Sequence, residues 1–81
     1  MIVLKDYTEF KIMGKIMCLY TEDTCYGRNT VAEIGDIYHY LGDEQPSIAT
    51  AMLAWQQINN RDLSIDERNQ MLNDNIKQLG E

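Results

Sequence analysis

The stretch from Asn29 to Asn59, NTVAEIGDIYHYLGDEQPSIATAMLAWQQIN, constrains the fold of this chain more than any other. Thr30 and Glu33 have the spacing of a capping box, in which a Thr hydroxyl takes the amide three residues on and a Glu reaches back to the capping residue's own amide. Val31, Ile34, Ile37, Tyr38 and Leu41 then recur at steps of three and four, which gathers them on one face of a helix. Gly42 supplies a left-handed terminator. Pro46, the only proline, suits the start of a second helix that turns Ile48, Ala51, Met52, Trp55 and Ile58 inward. The stretch therefore predicts two helices, over 30–41 and 46–58, joined by a tight polar turn.

Asp6 and Glu9 give a second capping box ahead of Phe10, Ile12, Met13, Ile16, Met17, Leu19 and Tyr20. At about 100° per residue these seven fall within one half of a helical wheel, which predicts a helix over 7–21. A strand alternation also fits, with Phe10, Ile12, Ile16, Cys18 and Tyr20 on one face and Gly14 at a bulge or hairpin tip. Met13, Met17 and Leu19 would then share the other face with Lys11 and Lys15, which favours the helix. Residues 1–6 read as an extended tail or edge strand. Ser64 and Glu67 start a last helix over 64–79, with Ile65, Leu72, Ile76 and Leu79 on one stripe ahead of Gly80. The expected fold is all-α: a single small domain over 1–81, built as a compact bundle of about four short helices around a helix-turn-helix-like hairpin. The alternative is an α+β fold with an N-terminal β-hairpin from residues 1–21.

An 81-residue chain buries only roughly 60–65% of its unfolded surface, so further burial in a homo-oligomer is open to it. Its 13 acidic and 7 basic residues give a net charge of −6, which disfavours direct nucleic-acid binding and suits a protein partner with a basic surface. Cys18 and Cys25 have neither CxxC nor zinc-knuckle spacing. MIVLK is too short for a signal-peptide core, and no apolar run reaches the roughly 18 residues of a membrane span. A soluble cytoplasmic protein with reduced thiols is expected. His39 is the only histidine, and the acid pairs Glu22-Asp23, Asp43-Glu44 and Asp66-Glu67 diverge rather than converge. With no phosphate loop, HExxH or EF-hand, no catalytic residue, metal or cofactor is expected.

Tyrosine combines apolar area with a polar tip and is enriched at binding hot spots. Tyr20, Tyr26 and Tyr40 lie near the acids Glu22, Asp23, Asp43 and Glu44, and these seven form the candidate partner-binding surface. The hairpin also resembles a DNA-binding helix-turn-helix: Gly42 is followed six residues later by Ile48, with Ile37, Leu41 and Ala51 apolar. Tyr38 and Asp43 depart from that pattern, and the second helix carries no Lys or Arg to anchor phosphates. The leading expectation is a small acidic non-catalytic interaction module, a regulator or stoichiometric inhibitor of a basic protein that itself handles nucleic acid. Small acidic proteins of phages and mobile elements often play such a part. A degenerate helix-turn-helix regulator and an oligomeric assembly subunit or chaperone are the alternatives.

Overall fold

The computed structural model describes residues 3–76. Four antiparallel strands, β1 (Val3–Ile12), β2 (Lys15–Thr24), β3 (Gly27–Ile34) and β4 (Ile37–Tyr40), form one sheet in the order β1-β2-β3-β4. Two helices follow, α1 (Ile48–Asn59) and α2 (Ile65–Asp74). The fold is α+β, which overturns the all-α helical bundle expected from the sequence. The predicted helix over 7–21 is the β1–β2 hairpin, and the predicted helix over 30–41 is most of the β3–β4 hairpin. The helix-turn-helix resemblance therefore loses its first helix. The 77–79 end of the predicted last helix, with Leu79 and Gly80, lies outside the described residues, as do Met1 and Ile2.

The misreading of 7–21 has a physical cause. Ile12 pairs with Lys15 across a two-residue turn, Met13-Gly14, in which both residues have positive φ. Such a turn matches the twist of the flanking strands. It also shifts the parity of the inward positions. Thr8, Phe10 and Ile12 face the helices before it, and Met17, Leu19 and Thr21 do so after it. Counting alternation straight through the turn puts Met17 and Leu19 on the wrong face, and the seven-residue step from Phe10 to Met17 then imitates two helical turns. Gly35-Asp36 makes a second two-residue turn, joining Ile34 to Ile37.

Thr30 and Glu33 are strand residues. Thr30 is buried, and its hydroxyl donates to the Glu44 carbonyl, while its backbone bonds Leu41 and Gly42 at 2.8 Å each. What the sequence offers as a helix cap instead clamps the connection into α1. The box of Ser64 and Glu67 is real, whereas Asp6 and Glu9 are strand residues: Glu67 N–H donates to Ser64 Oγ at 3.1 Å, and Ser64 N–H donates to Glu67 Oε1 at 3.0 Å. Ser47, one residue beyond Pro46, is the N-cap of α1.

The helices cover one face of the sheet. Phe10, Ile12, Met17, Leu19 and Ala32 pack there with Ala51, Met52, Ala54, Trp55, Leu63 and Met71. Ile16, which the helical wheel places mid-stripe, is half exposed on the other face.

Candidate functional site

The face of the sheet away from the helices carries the chain's concentration of tyrosines. Cross-strand partners share a face. Tyr20 pairs with Val31 and Val31 with Tyr40, while Tyr7 lies against Tyr20 with ring centroids 6.2 Å apart and planes at 15°. Tyr7, Tyr20, Val31 and Tyr40 thus form one row across all four strands, about 15 Å long at normal strand spacing. A second row holds Glu9, Cys18, Glu33 and Tyr38. Glu22 stands beside the first row, opposite Asn29.

Regular alternation back from the Met13-Gly14 turn brings Tyr7 to this face, and a bulge in β1 brings Leu4 to it as well. The register passes from Lys5 opposite Thr21 to Thr8 opposite Leu19, leaving Asp6 and Tyr7 against Tyr20. Asp6 takes φ 57, a conformation that Asp tolerates better than most residues. An unbulged strand would send Tyr7 and Leu4 to opposite faces.

The rows are dry at the centre and open at the rim. Val31 is fully buried and Tyr20 is 8% exposed, although neither joins the helix-side core, whereas Tyr7, Tyr38 and Tyr40 are each about 60% exposed. Burial raises the Tyr20 phenol above its usual range, and the nearby carboxylates of Glu33 and Glu22 add to the shift. Tyr7 Oη donates to Cys18 Sγ at 2.9 Å, and Cys18 Sγ lies 3.9 Å from Glu9 Oε2. That bond, with burial behind it, pushes the Tyr7 pKa up to about 12. Tyr7 and Tyr20 therefore stay neutral at physiological pH, and the acidic character of the face comes from its carboxylates. Glu22 and Glu33 are half-buried, and neither has a cationic partner among the described residues.

Of the residues singled out from sequence, Tyr20, Glu22 and Tyr40 come together here. Asp23 pairs with Lys5 Nζ at 2.8 Å. Tyr26 sits at the β2–β3 turn, 97% exposed and apart from the rows. Asp43 and Glu44 are exposed in the connection to α1. Sequence reasoning did not include Tyr7, Tyr38, Glu33 or Cys18. Restarting the alternation at each two-residue turn, 13–14, 25–26 and 35–36, would have found all four.

His39 lies on the helix side, donating from Nε2 to Gln57 Oε1 at 2.5 Å. Among the described residues no three His, Cys, Asp or Glu side chains are grouped to hold a metal ion, and no helix is long and apolar enough to cross a membrane. No family model matches this chain, and neither a curated protein nor a solved structure matches it.

Proposed function

We propose that this chain is a small non-catalytic binding module that holds a basic protein partner on the open tyrosine face of its sheet, regulating or stoichiometrically inhibiting that partner in the cytoplasm. The observation that carries this reading is the row Tyr7, Tyr20, Val31 and Tyr40 flanked by the half-buried carboxylates of Glu22 and Glu33, which have no cationic partner among the described residues. Tyrosine rings present a negative π-face, and a guanidinium over such a ring gains most where a carboxylate stands near. The chain already uses such a contact elsewhere, with the Arg61 guanidinium 4.7 Å from the centre of a Trp55 ring on the helix side of the sheet. Phosphate groups would meet the same carboxylates and a net charge of −6.

The test is a titration of isotope-labelled protein with capped hexa-arginine, read by backbone amide chemical shifts, with hexaglutamate as control. Hexa-arginine should shift Cys18, Tyr20, Glu22, Val31, Glu33, Tyr38 and Tyr40. The response should weaken between about 20 and 150 mM salt, as screening shortens the reach of exposed charges. The double variant Glu22→Gln, Glu33→Gln should lose most of it. Shifts confined to α2 or to the loop of Asp43 and Glu44, or unchanged in the double variant, would refute the reading.

A further inference from the structure

The two edges of the sheet are not alike. The β1 edge is closed twice: the bulge at Asp6 and Tyr7 breaks its run, and the Asn75 side chain occupies it further along. Asn75 Oδ1 accepts from Lys11 N–H at 2.8 Å, and Asn75 Nδ2 donates to the Lys11 carbonyl at 2.9 Å. One buried amide thus replaces a strand partner. Bulges, lysines and covering groups are the usual means of stopping a sheet from adding strands.

The β4 edge has none of these. Its sequence is Ile37, Tyr38, His39 and Tyr40, with no charged side chain at neutral imidazole, no proline and no bulge within the strand. Antiparallel ladders alternate residues that bond their neighbour with residues that point the other way. Thr30 bonds Leu41, so Ala32 and His39 bond each other, and so do Ile34 and Ile37 at the turn. The N–H and C=O groups of Tyr38 and Tyr40 consequently point outward from the sheet. No described strand takes them.

Resting on the function proposed above, we infer that the partner contributes an extended basic segment that adds to β4 as a fifth strand. Residues facing Tyr38 and Tyr40 in that strand place their side chains on the tyrosine face, where arginines meet the phenol rings and Glu33. The intervening residues point to the helix side, next to Ile37 and His39. There a groove of about 550 Å³, with Ile34, Ile37, Trp55 and Ile58 on its apolar side and Lys15, Asp36 and Asn59 at its rim, has room for an apolar side chain. The segment recognised therefore alternates basic and apolar residues. Charge decides against a second copy of this chain as the occupant, since pairing β4 with itself would set two acidic faces side by side in a dimer of net charge −12, twice the −6 of one chain.

Three capped heptapeptides alternating arginine and valine test this: one unmodified, one N-methylated on its arginines and one N-methylated on its valines. In the proposed register the arginine N–H groups face β4 and the valine N–H groups face away. The unmodified and valine-methylated peptides should bind alike and slow hydrogen exchange at Tyr38 and Tyr40. The arginine-methylated peptide should bind about tenfold more weakly or worse, as loss of two hydrogen bonds predicts. Equal binding by all three would overturn strand addition and leave the open-face reading standing. Shifts on the tyrosine face with hexa-arginine but no binding of any heptapeptide would also overturn strand addition alone; failure of both probes would overturn both. Sedimentation of the free protein as a dimer with Tyr38 and Tyr40 amides already protected would assign the edge to a second copy instead.

Discussion

Strand β2 sends Met17, Leu19 and Thr21 to one side of the sheet and Cys18, Tyr20 and Glu22 to the other. The first side is sealed by α1 and α2, and Met17, Leu19 and Thr21 are almost wholly inaccessible. On the second side burial stops at Tyr20 and Val31, and the aromatic rims beyond them face out. The two sides differ little in apolar content but sharply in what covers them. An antiparallel sheet needs only one face packed to be stable, which leaves the other free to carry recognition. The half-exposed tyrosines add little to folding and remain available for binding.

The largest expected effect separates the two faces directly. Leu19→Asp places an unpaired carboxylate in the helix-side core and should cost at least about 4 kcal/mol, enough to unfold a domain of this size. Ile16→Asp, on the open face of the same strand, should cost under about 1 kcal/mol. Urea unfolding followed by circular dichroism measures both. Equal costs would mean that the open face is a second core and unsuited to a partner.

A smaller effect compares the two edges. Asn75→Ala removes the amide that bonds both backbone groups of Lys11 and the Met71 carbonyl, and leaves polar groups buried without partners. It should cost about 2–3 kcal/mol in the same assay. It should also make the protein self-associate at high concentration, read by sedimentation, because it opens the β1 edge. A variant that loses stability and stays monomeric would show that the bulge alone protects that edge.

The smallest effect lies within the open face. Tyr7 titrates near 12 in the folded protein, against about 10 when unfolded. Its raised value stabilises the fold fully below pH 10, and that contribution is lost as pH rises towards 12. Cys18→Ala removes the acceptor of the Tyr7 hydroxyl and should bring one tyrosine back towards pH 10. Phenolate absorbance near 295 nm follows this, and an unchanged titration would show that the thiol bond does not govern Tyr7.

The helices were legible in the sequence because their signals are local. Ser64 and Glu67 lie within one turn of each other, and α1 shows a sustained 3.6-residue period over Ile48, Ala51, Met52 and Trp55. The strands were not. Over residues 7–41 the apolar residues fit a helical stripe about as well as they fit two hairpins, and single-residue propensity is too weak to choose between them. A strand is stabilised by partners across the sheet, so its evidence lies in register rather than in its own sequence.

By itself the sequence determined an acidic composition, the presence of α1 and α2, the inward face of α1, the capping box of α2, and a supply of tyrosines with no cluster of cations beside them. Its apolar stripe misplaced the face of α2, which buries Met71 while Ile65, Leu72 and Ile76 are exposed. Tertiary structure alone decided that Tyr7, Tyr20, Val31 and Tyr40 stand in one row. Those four are far apart along the chain, and only three turns and the pairing of four strands bring them together. It also decided which edge is closed, because Asn75 meets Lys11 only when α2 folds back on β1. Such contacts depend on distances that no local period encodes, and a change of one residue in any turn would scatter the row between the two faces.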